Sequence, residues 1–166
     1  MNKLIASLGA LGALVLLNCP AGFAAAPELE SAVVAGGAPT SGTLSVIEAH
    51  KKAKDGENIL VEGRVREFVN GVATFSVLDK SIKSCTEAGE KCETPWDLCG
   101  NMYTPKQISE GSATVKVVGT GKAPIRGDVK GVNGLDHLTP VVVEGAAKVD
   151  ADGNLTIKAS KVYVKK

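Results

Sequence analysis

The sequence predicts a mainly β domain whose strands close into a five-stranded barrel. Three observations support this fold class. Apolar and polar residues alternate with a period of two in five segments, which is typical of strands with one buried face. Asn70-Gly71 lies between the first two segments and favours a type I′ hairpin turn. Gly63 and Gly145 fall within strands, where glycine permits the sharp bends of a closed barrel.

A short helix is predicted ahead of the strands, over residues 43–54. Apolar residues recur there at helical spacing, and Ser41 or Thr43 can cap the first turn. Asp55-Gly56 ends the pattern. A helix of this length is stable only when it packs against a larger unit, so we expect it to contact the barrel.

The five predicted strands follow in order. They cover residues 59–65, 72–78, 113–118, 141–149 and 155–164. In the last strand the apolar residues up to Ala159 share one face, whereas Val162 and Val164 have the opposite parity. A β-bulge near Ser160-Lys161 would restore a common buried face, because a bulge shifts the register by one residue.

The N-terminus has the composition of a secretory leader. Lys3 precedes an apolar run from Leu4 to Leu17 that is shorter than the roughly 20 residues a spanning helix needs. We therefore expect residues 1–24 to be a signal peptide. The alternative is that the leader is processed with lipid modification of Cys19, because the residues before it resemble a bacterial lipobox. In that case the lipid at Cys19 would be the only membrane attachment that we predict.

The rest of the chain divides into a linker and one domain. Residues 25–42 are rich in Ala, Gly, Pro and Ser without periodicity, and we predict a flexible linker. Residues 43–166 form the predicted barrel domain. Of the 19 basic and 18 acidic residues, the leader contains only Lys3, which leaves 18 of each. This balance, together with export to the periplasm or envelope, argues against a nucleic-acid partner.

The 34 residues from Asp79 to Ser112 join the second and third strands and contain Cys85, Cys92 and Cys99. Loops of this length are commonly functional. In an oxidising compartment the thiols favour one disulfide plus a leftover thiol, with the pairing left open. A second interpretation is a zinc site with His137 or His50 as the fourth ligand. A third is a reactive thiol that forms a mixed disulfide, although the chain has no C-x-x-C pair.

Candidate ligand-binding residues lie in the same loop. Trp96, the only tryptophan, and Tyr103 offer contact surface, and Asp97 offers a carboxylate. The structural alternatives are that Trp96 covers a small core and that Asp97 caps a turn. The chain has no Gly-x-Ser-x-Gly elbow, and in the segment Gly119–Ala123 an alanine, Ala123, replaces the Ser or Thr that follows the lysine of a phosphate-binding loop. We therefore expect no catalytic residues and a non-enzymatic protein.

Two segments carry a resemblance to known proteins. The stretch from Leu44 to Val65 resembles the opening of exported bacterial OB-fold proteins, in which a short helix leads into the first barrel strand. Pro95-Trp96-Asp97-Leu98-Cys99 resembles the Pro-Trp-Asp-aromatic-Cys signature of uncharacterised exported bacterial proteins; here Leu98 replaces the aromatic residue, and Gly100 stands where a further cysteine often lies. The resemblance covers residues 43–165 and implies an OB-type barrel.

The fold alone does not define a function, because OB barrels serve many. We expect an exported binding module for an unidentified protein or small ligand, with a disulfide-stapled loop and no cofactor. The alternatives are zinc binding through Cys85, Cys92, Cys99 and a histidine, and binding of single-stranded nucleic acid or an oligosaccharide on the OB face.

Overall fold

A computed structural model describes residues 27–100 and 102–165. The predicted signal peptide and the lipidation candidate Cys19 lie outside these residues. Three short helices and seven strands follow in the order α1 Pro27–Ala32, β1 Val33–Ala35, β2 Thr43–Ser45, α2 Val46–Lys52, β3 Asn58–Val69, β4 Thr74–Leu78, α3 Pro105–Glu110, β5 Ser112–Val117, β6 Pro140–Val149 and β7 Leu155–Val164. A 3₁₀ turn at Val132–Gly134 precedes β6. In the described part of the chain, no helix has the length and apolar character needed to cross a membrane.

Five strands close into a barrel, which confirms the predicted fold class. β3 pairs with β4, β4 with β5, β5 with β7, β7 with β6, and β6 again with β3. The β5–β7 pair is parallel and the other four pairs are antiparallel. This order, with α2 leading into the first barrel strand, is that of an OB-type barrel.

The barrel interior is filled by β-branched and other aliphatic side chains together with the ring of Phe75. Alternate residues of each barrel strand point inward, as the period-two pattern predicts. The fully buried set includes Val61, Val65, Phe75, Val77, Val115, Val117, Val143 and Ile157. Because these side chains occupy the interior, any ligand site must lie on the outer wall or among the loops.

The predicted bulge in the last strand is present. Glu144 pairs with Lys161 and Gly145 pairs with Ala159, so Ser160 is the extra residue of β7. Gly145 is required at this point, because a Cβ there would lie 2.2 Å from the Lys158 carbonyl oxygen. At the bulge the backbones of β6 and β7 therefore approach so closely that no side chain fits at position 145.

Part of the segment predicted as a flexible linker is regular structure. α1 buries Leu29 completely, and β1 pairs in parallel with β7 through Val33 and Val162. The side-chain amide of Asn133 donates to the Val33 carbonyl over 2.6 Å. The expectation fails over residues 27–35 because these two elements are too short to show a period, and tertiary packing stabilises them.

The leading helix is shorter than predicted. α2 begins after Ser45, which forms a capping box with Glu48, so neither Ser41 nor Thr43 is the cap. The residues before the helix form β2, which pairs in parallel with β3. Asp79 at the end of β4 accepts a hydrogen bond from the Ile47 amide over 3.1 Å and holds the helix against the barrel.

Candidate functional site

The segment from Asp79 to Gly111, which we call the cysteine loop, lies against the outer wall of β3. The two arginines of β3, Arg64 and Arg66, alternate with inward-facing residues and lie on the outer wall, where both anchor the loop. Arg64 is 9% exposed, donates to the Ile82 carbonyl and forms an ion pair with Glu87. Burial lowers the pKa of Arg64, and the nearby Tyr103 and Asp79 oppose this effect. The buried Arg64 guanidinium therefore holds the loop against β3 and is not exposed to bind an anion.

The second anchor joins Arg66 to the candidate residue Asp97. One oxygen of the Asp97 carboxylate lies 2.5 Å from the Arg66 guanidinium and also accepts the Leu98 amide over 2.7 Å. Burial alone would raise the pKa of Asp97, but these two hydrogen bonds outweigh it and lower the pKa below its usual value. Asp97 is thus held as a carboxylate that fixes the loop, in a role close to the predicted turn cap.

Backbone hydrogen bonds give the loop its internal shape. The Cys85 amide donates to the Asp97 carbonyl over 2.7 Å, and the Thr86 amide donates to Pro95 over 3.1 Å. These bonds bring the two arms of the loop together on either side of the Glu90 turn, whose amide donates to Cys85 over 3.0 Å. The Tyr103 hydroxyl accepts the Lys83 amide over 2.8 Å, so this candidate residue also supports the loop.

The three cysteines meet at one point. Their sulfur atoms all lie within 4.8 Å of one another; Cys85 is buried, and Cys92 and Cys99 are half-buried. The Cys85 sulfur lies at bonding distance from both of the others, whose own sulfurs are 2.9 Å apart. Because a sulfur atom forms one disulfide at a time, Cys85 pairs with either Cys92 or Cys99 and leaves the third thiol beside the bond.

Neither histidine joins the sulfur atoms. Among the described residues, the group of ligand atoms within mutual reach contains three sulfurs and no imidazole nitrogen. His137 donates from Nδ1 to the Arg66 carbonyl, and His50 donates from Nε2 to the Ser112 carbonyl over 2.8 Å. Of the predicted zinc ligands, only the three cysteines therefore lie together in the structure.

The side chains of Phe68, Trp96, Lys130 and His137 form a cluster that we call the aromatic patch. The rings of Trp96 and His137 stack with centroids 4.0 Å apart and planes inclined by 16°. Phe68 meets His137 edge-on, with centroids 5.1 Å apart. The ammonium group of Lys130 lies 6.0 Å from the ring centroids of both Trp96 and Phe68, within cation–π range.

The connection from β5 to β6 supplies half of this patch. It runs beside β3, where the Leu138 amide donates to the Val65 carbonyl over 2.7 Å and the Val65 amide donates to Thr139 over 3.0 Å. β3 has a register shift between Val65 and Phe68, and beyond it the Phe68 ring contacts His137 of this connection. The sequence indicated Trp96 as a contact residue, but no local pattern links it to the other three side chains.

The basic residues on and beside the outer wall of β3 are paired with acidic side chains. Arg64 and Arg66 are engaged beneath the cysteine loop. Lys80 pairs with Glu62 over 2.8 Å, and Lys165 reaches the same carboxylate, whose pKa these hydrogen bonds lower. The outer wall of β3 is thus occupied by the loop and by ion pairs.

The fold and the loop define a class: a mainly β protein with a closed, OB-type five-stranded barrel and a cysteine-bearing loop on its wall. No protein-family model and no curated protein sequence matches this chain.

Proposed function

We propose that the protein is a non-enzymatic binding module of the cell envelope that holds its ligand at the aromatic patch. The observation that supports this is the stack of Trp96 on His137, because it joins the cysteine loop to the β5–β6 connection and contains tryptophan, a residue enriched at binding hot spots. An exported chain with a stapled loop is consistent with this role.

The anchoring of the loop favours binding, because a pre-ordered surface loses little entropy when a ligand docks. Arg64 and Arg66 fix the loop at two points on β3, and the sulfur atoms link parts of the loop to each other. Trp96 lies between these points and is half-buried, so part of its ring remains accessible. Loops held by a rigid scaffold commonly carry the contact residues of a domain.

The polar surroundings of the patch suit a ligand with both apolar and charged groups. Lys130 contributes a cation above the rings, and its ammonium lies 3.4 Å from the Asp136 carboxylate. The half-exposed side chains of this pair leave hydrogen-bonding capacity at the rim. This arrangement of an aromatic centre and a polar rim is that of a protein–protein or protein–ligand contact.

Photo-crosslinking in the envelope tests the proposal. The exposed Glu93, in the same loop, is replaced by p-benzoylphenylalanine in the full chain, and adducts are compared in three backgrounds: wild type, Trp96→Ala and Met102→Ala. Met102 is the matched control because its side chain is 46% exposed and lies outside the patch. We expect a discrete adduct that Trp96→Ala abolishes and Met102→Ala retains.

Equal adduct formation in all three backgrounds would refute the proposal, provided that each variant keeps the wild-type unfolding midpoint. Because Trp96 is the only tryptophan, its fluorescence gives a second readout with the purified ligand. Binding at the patch should change this emission at a saturating concentration, whereas binding elsewhere should leave it unchanged.

A further inference from the structure

The three-sulfur cluster has a donor set that the disulfide does not fully use. Sulfur atoms from Cys85, Cys92 and Cys99 converge within 4.8 Å, although a disulfide needs only two of them. Three thiolates bound to one ion at about 2.3 Å per metal–sulfur bond would lie roughly 4 Å apart. In the structure the sulfurs lie closer together than this, with Cys92 and Cys99 2.9 Å apart and Cys85 at bonding distance from both. Once reduced, the loop therefore has to open by only roughly 1–2 Å between sulfurs to enclose a single ion.

The composition of the cluster decides which ion fits. A structural zinc site is almost always tetrahedral with four ligands, and here neither a histidine nitrogen nor a carboxylate oxygen joins the three sulfurs among the described residues. Thiolates are soft ligands that select Cu(I), zinc and iron–sulfur clusters, and of these Cu(I) is the one that three ligands can satisfy. Cu(I) is d¹⁰ and accepts three ligands in a plane, so three converging sulfurs can complete its coordination.

We propose that the reduced cysteine loop binds one Cu(I) ion through Cys85, Cys92 and Cys99. Starting from the fully reduced loop, binding replaces up to three S–H protons by three Cu–S bonds and changes the oxidation state of neither copper nor sulfur. The disulfide form reaches this state only after a thiol reductant has supplied two electrons and two protons and has itself become a disulfide. The disulfide-bonded and copper-bound forms exclude each other, because the disulfide consumes two of the three ligands. The site is independent of the proposed ligand contact, since Trp96 and His137 supply no ligand atom.

The surroundings of the cluster support a stable site. Cys85 is 1% exposed, and its amide is bonded to Asp97, whose carboxylate is in turn fixed by Arg66. Cys92 and Cys99 are half-buried, which leaves a path for the ion from solvent. Such outer contacts orient metal ligands, and losing one typically costs about 10–100-fold in affinity.

Competition titration tests the site. The full exported chain is reduced, freed of reductant under anaerobic conditions, and titrated with Cu(I) in the presence of bicinchoninate. We expect one ion per chain, and each of Cys85→Ser, Cys92→Ser and Cys99→Ser should weaken binding by about 100-fold or more, beyond the range for outer contacts. X-ray absorption should show three sulfur neighbours around copper.

Three controls make the result specific. Trp96→Ala should keep full copper affinity, so a failure of the ligand proposal remains separate from a failure of this one. Met102→Leu should also bind normally, and a loss equal to that of a cysteine variant would overturn the three-cysteine assignment. Tighter retention of Zn(II) than of Cu(I) in the matching competition, or unchanged Cu(I) binding in any Cys→Ser variant, would likewise overturn it.

Discussion

Replacing Leu29 by Ala tests whether the segment ahead of the barrel belongs to the folded domain. Leu29 is fully buried in α1, within a stretch whose composition predicts a linker. A tethered segment would tolerate the change, whereas a docked one would lose part of the core. Glu30→Ala on the same short helix is the matched control, because Glu30 is exposed.

The expected magnitude follows from the atoms removed. Leu→Ala deletes three carbon groups, each contributing about 0.8 kcal/mol when buried, or roughly 2.4 kcal/mol in total. The cavity left behind adds to this loss, so we expect about 3 kcal/mol, within the range known for buried leucines. For a domain of this size, that loss lowers the thermal midpoint by about 10 °C.

Thermal unfolding followed by circular dichroism measures the effect on the protein. We expect Leu29→Ala to unfold about 10 °C below wild type and Glu30→Ala to unfold within about 2 °C of it. A Leu29→Ala protein with the wild-type midpoint would show that α1 and β1 do not contribute to the barrel. The reasoning from burial would then be wrong for residues 27–35.

Three further variants probe the bulge, the helix anchor and the loop. Gly145→Ala should cost about 3 kcal/mol in urea unfolding because its Cβ meets backbone 2.2 Å away, and an unchanged midpoint would contradict the bulge geometry. Burial raises the pKa of the Asp79 carboxyl, but hydrogen bonds from Ser81 and Ile47 outweigh this effect and lower the pKa below its usual value. The stability that the carboxylate contributes to the fold is therefore complete above about pH 4 and is lost as the pH falls further. Asp79→Asn should therefore lower stability at pH 7 by about 2 kcal/mol and flatten the acid dependence measured by urea titration, and parallel wild-type and variant curves would count against this. Arg64→Met should speed tryptic cleavage of the cysteine loop about tenfold, because the contacts that hold the loop on β3 would lose roughly 1.4 kcal/mol of free energy. Equal cleavage rates in wild type and variant would exclude Arg64 as an anchor.

The barrel was predictable because its signals are local and repeated. Period-two alternation marked the strands, and the change of parity after Ala159 placed the bulge that the register confirms at Ser160. The length of the segment between β4 and β5 likewise indicated the loop. The helix cap at Ser45 was missed because the preceding residues pair as β2, a contact that is not local in sequence.

The site was only partly predictable. The spacing of Cys85, Cys92 and Cys99 identified the loop but could not show that all three sulfurs meet. Arg64 and Arg66 have the parity of solvent-exposed residues, so nothing in the sequence distinguishes a buried anchor from an ordinary surface charge. The stack of Trp96 on His137 depends on the path of the β5–β6 connection, which a single sequence does not specify.

The position of the cysteine loop on the barrel is the central claim, and proton NMR of the protein tests it directly. The single tryptophan makes its indole signals unambiguous. Strong nuclear Overhauser effects between the Trp96 indole and the His137 imidazole protons are expected from rings 4.0 Å apart. Their absence in a spectrum that shows the β3–β6 cross-strand contacts would contradict the account, because the barrel would then be folded without the loop on its wall.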